Sequence, residues 1–155
     1  MIEAARPATT DDLPVIVELY RSAAEEQRNL RQTWADFDAR PEPAEQSLRA
    51  DLEDRDAFAV VGTIDDVPIG YAVGRLVAGL PQVGGRRLII TDIYVDPEAR
   101  AVGVGELIVN ELLQWGRDHD ARNAEARVLP NFRDAKNFCE ENGFTGRVLV
   151  MHVSI

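Results

Sequence analysis

The sequence predicts an α/β (α+β) fold: a mixed, mostly antiparallel sheet with helices on both faces, in a single domain over residues 1–155. Three observations carry this. Strand-like runs and helical stripes follow one another in the order β-α-α-β-β-β-α-β-α-β. At 155 residues with 45% hydrophobic composition, the chain can bury a core without covalent staples. Its single cysteine, Cys139, leaves no internal disulfide framework and no cysteine-built zinc cluster.

Residues 2–6 read as the first strand. Thr10 or Asp11 is expected to cap the next helix, with Pro14 in its first turn and Leu13, Ile16, Val17 and Tyr20 on one face. Residues 28–43, which carry Trp34, Phe37 and two prolines, read as a loop or irregular helical connection. Ala44–Glu53 is the second helix. Residues 57–64 are rich in β-branched side chains and form a strand. Asp65-Asp66 is a turn, and residues 67–77 return as its hairpin partner. Residues 79–85 form a loop containing Pro81, and 87–95 another strand. Over 104–119 the stripe Val104, Ile108, Leu112, Trp115 defines a long helix. Residues 124–129 read as a strand, 133–142 as a short helix and 147–153 as a final strand.

The charge balance is 17 basic against 27 acidic residues, a net of −10. That argues against a general nucleic-acid or anionic-membrane surface and is compatible with cationic small molecules. His119 and His152 are too few and too far apart in sequence for a histidine metal site, so no metal is expected. Residues 1–13 lack the positive start and apolar run of a signal peptide, and the apolar runs are far short of a membrane span. The reading is a cytoplasmic protein in a reducing compartment.

The stretch richest in chemistry is residues 95–105. A strand ends, a turn follows, and a helix begins at glycines. Gly103 and Gly105 let the chain take positive φ and let backbone approach a ligand. The free N–H groups of the helix's first turn, reinforced by the helix dipole, make a seat for a pyrophosphate, with Arg100 as a cation beside it. A Rossmann fingerprint would need a third glycine where Ile108 stands, and a Walker loop would need a Gly-Lys pair that is absent. A glycine turn made only for packing is the bland alternative.

The order Arg100-x-x-Gly103-x-Gly105 resembles the central motif of the GCN5-related N-acetyltransferase (GNAT) family. Thr91-Asp92-Ile93-Tyr94-Val95-Asp96-Pro97 is similar to the strand and turn that lead into that motif. Residues 135–144, ending in Gly143-Phe144, look like the family's closing helix and turn, and residues 6–13 look like its first strand and helix cap. The resemblance covers essentially the whole chain in order. It implies a sheet splayed at its centre and acetyl-coenzyme A as co-substrate. Backbone N–H groups from Val102, Gly103, Val104 and Gly105 would hold the pyrophosphate, with Arg100 and Ala101 completing the turn. Ala101 stands where the family usually has glycine. Ile93 and Val95 would bond the pantetheine arm through their main chain. Asn131 would reach its amides, and Ala135 and Phe138 would line its far wall.

The implied reaction is direct attack of a primary amine, on a small molecule or a protein, on the thioester in a ternary complex. A backbone N–H near Tyr94 would stabilise the developing oxyanion. Asp92 is the candidate base; its alternative is an ion pair with an arginine. On regular alternation Asp92 and Tyr94 share one face unless a bulge intervenes. Cys139 occupies the place of a family tyrosine that protonates the leaving thiolate. It is either that acid or a small core residue, and Tyr94 or a water is the substitute. His119 reads as a solvated helix cap, and His152 as a core residue or, as the alternative, one that faces the cleft. Trp34 and Phe37 are either core plugs or walls of the acceptor pocket, which residues 28–43 and 79–85 would shape. The acidic cluster Asp51, Glu53, Asp54 and Asp56 reads as a solvated helix end. A non-catalytic module that binds or senses acyl-coenzyme A is the competing function. Dimers are common among relatives, so a homodimer is one of the expected states.

Overall fold

A hairpin sits at the centre of the fold. Ala57–Ile64 (β2) and Val67–Ala78 (β3) pair antiparallel across Asp65 and Asp66, which take φ values of 48° and 67°, as a tight hairpin turn requires. The computed structural model describes residues 1–30, 39–129 and 132–155. Glu3–Pro7 (β1) adds to the outer side of β2, and Arg86–Val95 (β4) to β3, both antiparallel. Ala121–Ala126 (β5) joins β4 in parallel, so the sheet is mixed with strand order β1-β2-β3-β4-β5.

Alternation of side chains gives this sheet two apolar faces, and helices cover each. On one face, Leu13–Leu30 (α1) and Ala44–Glu53 (α2) bury Leu13, Ile16, Val17 and Leu48 against Ala59, Val61, Tyr71 and Val73. On the other, Val104–Asp118 (α3) buries Val104, Ile108 and Leu112 against Val60, Ala72, Leu76, Leu88 and Ile90. Trp115 completes the predicted stripe by stacking on Phe58, with ring centroids 5.0 Å apart. Arg133–Glu141 (α4) is the last helix. Among the described residues, no helix is long and apolar enough to cross a membrane.

Three expectations shift. The cap at the start of α1 is Thr9 rather than Thr10 or Asp11, because a 3-10 turn over Thr10–Asp12 precedes the helix. The Asp12 carboxylate accepts the Thr9 N–H at 2.8 Å and both Arg6 guanidinium nitrogens at 2.8 Å. β5 begins and ends three residues earlier than expected. Its alanine-rich sequence has little strand preference of its own, and the parallel register Arg86↔Ala121 through Ile90↔Ala126 sets its limits. Residues 147–153 form no strand, and Val148 and Met151 are 86% and 81% exposed. His152 therefore lies exposed rather than in the core.

The Arg6 bonds, working against burial, hold the Asp12 carboxyl below its ordinary 3.8. Such a group stabilises the fold above its unfolded pKa and loses that contribution as pH falls through the folded value. We expect Asp12→Asn to cost about 1–3 kcal/mol in urea unfolding at pH 7, with the gap to the parent chain closing as pH falls below the ordinary carboxylate range.

Candidate active site

Pairing between β4 and β5 stops at Ile90 and Ala126, yet β4 runs on to Val95. Residues 91–95 thus pair with β3 on one side only. The Asp96 N–H donates to the Ile69 carbonyl at 2.8 Å, so by antiparallel alternation Tyr94 also faces β3. Ile93 and Val95 consequently point their N–H and C=O groups outward, to the side that β5 has left. Arg100 Nε takes the Val95 carbonyl at 2.9 Å, which leaves the Val95 N–H and both Ile93 groups on that edge.

The turn after β4 holds two residues with positive φ, Ala101 at 71° and Gly103 at 93°. An L-residue such as Ala101 bears about 1–2 kcal/mol of strain in this region, which glycine escapes. Gly103 is the N-cap of α3 and supplies no side-chain cap, and nothing lies within 4 Å of the position a Cβ would take there. The first-turn N–H groups of the 15-residue α3 are therefore left without a side-chain cap from Gly103. Arg100 does not hang over this mouth. Its guanidinium grips Glu26 of α1 at 2.6 and 2.9 Å and lies 5.5 Å from the Tyr94 ring centroid.

On the α1–α2 face, a bulge changes which way β4 looks. The register skips Thr91, with Gly74 opposite Ile90 and Val73 opposite Asp92. Leu88 and Ile90 pack toward α3, but Asp92 and Tyr94 point to the opposite face. There Asp92 accepts from Tyr71 Oη at 2.9 Å, Thr91 Oγ1 at 2.8 Å and two nitrogens of Arg40. Arg40 also pairs with Asp51, which Arg75 holds from its other side at 2.6 Å. The Arg40 and Asp92 side chains are each only 8% exposed. Burial opposes the charge on Arg40, but Asp92 and Asp51 outweigh it and hold the guanidinium above its usual range. Burial first, and then the Asp92 charge, push the Tyr71 phenol well up.

A cavity of about 770 Å³ opens over this cluster, lined by Tyr20, Arg28, Arg40, Asp51 and Asp92, and it reaches Ile93. It meets the free β4 edge at that residue. Both signs of charge stand on its wall, so the acidity of the whole chain does not extend to this surface. Residues 79–85 take no part in the lining. The acidic cluster expected as a solvated helix end is largely paired: Asp51 as above, Asp54 with Arg75 at 2.9 Å and Asp56 with Arg86 at 2.7 Å.

A profile described as the acetyltransferase (GNAT) family matches residues 16–144. The chain belongs to the GNAT family. No curated protein matches it. Among solved structures, a tetramutant of the BH1408 protein from Bacillus halodurans superposes with a TM-score of 0.83 at 24% identity, covering 100% of both chains. AAC(6')-Iy, solved with the bisubstrate analogue CoA-S-monomethyl-acetylneamine, gives 0.75 at 16% identity over 100% of both. A ribosomal-protein-alanine N-acetyltransferase from Brucella melitensis biovar Abortus 2308 gives 0.72 at 16% identity over 99% of each. These likenesses concern the GNAT fold.

The remaining residues that the GNAT motif singles out lie on α4. Ala135, Phe138 and Cys139 share its half-buried side. The Phe138 ring comes so close to α3 that a Cβ on Gly105 would stand 2.8 Å from it. Cys139 is half-buried, and burial together with Glu140 pushes its thiol up, so it stays protonated at neutral pH. Burial and then Glu26 raise the Tyr94 phenol. Asn131, Trp34 and Phe37 lie outside the described residues. Arg40, Asp51, Tyr71, Arg75 and Glu26 were missed from the sequence. Their partners are far away in the chain, and only a strand register that placed Tyr71 diagonally from Asp92 would have hinted at them.

Removing one member of a buried ion cluster strands the others. We expect Arg40→Met to cost about 3–5 kcal/mol in urea unfolding, because Asp51 and Asp92 lose their shared partner. A loss below about 1 kcal/mol, the range of exposed pairs, would contradict the burial described.

Proposed function

We propose that the protein transfers an acetyl group from acetyl-coenzyme A to a primary amine of a small molecule or protein, by direct attack in a ternary complex. The observation that supports this best is a meeting of three features. The uncapped mouth of α3, the unpaired edge of β4 and the cavity over Asp92 adjoin one another, with Ile93 common to the last two.

The uncapped turn at Gly103 suits an anion, which backbone N–H groups from Val102 to Gly105 bind on this reading, and nothing lies within 4 Å of the position a Cβ would take at Gly103. The outward groups of Ile93 and Val95 bond an extended amide-bearing arm as a neighbouring strand would. Ala135 and Phe138 wall its other side, and Asn131 reaches its amides. Acetyl-coenzyme A supplies the activated acyl carbon. The amine's lone pair forms the new C–N bond, the C–S bond breaks, and the thiolate departs. Outward N–H groups flanking Tyr94 stabilise charge on the carbonyl oxygen. Asp92 takes the ammonium proton when the acceptor displaces Arg40 from it. Cys139 packs α4 and takes no part, while Tyr94 or a water returns a proton to the thiolate.

Calorimetry with coenzyme A tests the seat. Gly103→Val leaves the far-ultraviolet circular dichroism unchanged and weakens binding at least a hundredfold, and equal affinity would sink the reading. Free-thiol release from acetyl-coenzyme A across a panel of amines tests turnover. Tight binding with no release from any amine favours the sensing module instead.

Side-chain roles divide the same assay. Asp92→Asn is expected to lower kcat/KM by about 10²–10⁴. Cys139→Ala keeps activity within a few fold. A hundredfold fall in that variant would give the thiol the acid's part.

A further inference from the structure

We propose, resting on the transferase reading above, that the acceptor is an α-amino acid with a free carboxylate, which enters between Asp92 and Arg40 and meets each with the opposite charge. Arg40 sets this choice, because its guanidinium is engaged on two sides. Nε and Nη2 form a fork on Asp92, with Nε donating to Oδ2 at 3.2 Å and Nη2 to Oδ1. Nη1 donates to Asp51 Oδ2 on the other side. A fork of two N–H groups matches the two oxygens of a carboxylate, whichever molecule carries it.

Asp92 receives an amine only when this fork lets go. Arg40 then turns off Asp92 without leaving the cluster, since Asp51 still holds Nη1 and the side chain is only 8% exposed. An arginine does not shed its proton in a protein, so the charge stays. The two freed donors need a new acceptor, because a charged donor left bare in a half-closed site is costly. The neighbouring carboxylates are already engaged. Asp51 accepts from Arg75 at 2.6 Å, and Glu42 accepts the Ala44 N–H at 2.9 Å at the start of α2.

A simple amine brings a cation to Asp92 and leaves the fork to water alone. An amino acid brings both poles. Its ammonium takes the Asp92 oxygens that the fork gave up, its carboxylate takes the fork, and the net charge of the cluster does not change. The two poles have to be close together, because Asp51 tethers Arg40 near its present place. Amine and carboxylate on one carbon meet that condition. A long ω-amino acid does not, and the N-terminus of a peptide has an amide where the carboxylate is needed. The rest of the acceptor has room. The cavity of about 770 Å³ opens over this pair, and Ala23, Ala24 and Ala50 on its wall take up little of it.

Steady-state kinetics with the full chain and acetyl-coenzyme A tests this on a panel of L-amino acids, each beside its own C-terminal amide and its decarboxylated amine. We expect the acids to exceed both partners in kcat/KM by about tenfold or more, with the difference in KM. Amides or amines that match the acids overturn the proposal. Arg40→Lys keeps the charge but not the fork, and it should bring the acid-over-amide ratio most of the way to one. An unchanged ratio in that variant overturns the role given to Arg40. If the variant fails to fold, the panel on the parent chain decides alone. If coenzyme A binds but no amine is acetylated, the transferase reading itself has failed. Calorimetry of the same acids and amides on the coenzyme A-loaded protein then decides this inference separately. Binding of acids in preference to amides sustains it, and equal binding or none overturns it.

Discussion

The site exists because β4 keeps its full length while its parallel neighbour stops. A backbone edge inside a sheet has donors and acceptors that must find partners. Over residues 91–95 the chain does not supply them from β5. It supplies one from Arg100, which closes off the Val95 carbonyl, and leaves the rest directed into the gap. The position of α3 follows from the same divergence. Val104, Ile108 and Leu112 are fully buried on the sheet, which fixes the helix so that its first turn opens where β4 ends. The Phe138 ring, seated against Gly105, then sets α4 as the opposite wall. The uncapped first turn of α3 and the one-sided stretch of β4 are thereby brought to the same end of the sheet.

The bulge at Thr91 does for the α1–α2 face what the divergence does for the β4 edge. Without it, Asp92 and Tyr94 would lie on the face of Leu88 and Ile90, under α3. A charged group there would have to be buried among aliphatic side chains at a cost that no nearby cation offsets. One extra residue turns Asp92 to the α1–α2 face, where Arg40, Tyr71 and the cavity lie. Ile93 and Val95 meanwhile return to the α3 face, next to Val102 and Phe144. One strand thus presents polar chemistry to one side and an apolar lining to the other, with its free backbone edge between them.

Local signals were enough to read much of this from the sequence. The 104–119 stripe, the Asp-Asp hairpin turn and the glycine turn each follow from spacing or punctuation that needs no distant partner. Residues 124–129 misled, because Val128 and Leu129 look more like a strand than the alanines of β5 do. Pairing with β4 decided the matter, as tertiary context does for weak propensities. Residues 147–153 also misled: their apolar, β-branched composition reads as a strand, yet they form none, because a strand also needs an edge and that need is invisible in composition. Asp92 stood out in the sequence by its place on the strand that leads into the glycine turn, and it lies on the cavity wall. Arg40, 52 positions away, was not, because an ion pair between distant elements leaves no period behind.

The hydrogen-bond accounting at Asp92 bears on its chemistry. A carboxylate has about four lone-pair sites. Two are met by Arg40, one by Tyr71 and one by Thr91, so no acceptor capacity remains for an amine's proton. One donor has to leave before Asp92 can act. Tyr71 is 1% exposed and packed in the core, and Thr91 is held in place by the bulge. Arg40 lies outside the helices and strands, in the segment before α2, and its guanidinium stands on the cavity wall. On the proposed reading, an incoming ammonium carries the charge that Arg40 takes away, which makes Arg40 the donor that can yield with the least change in the net charge of the cluster.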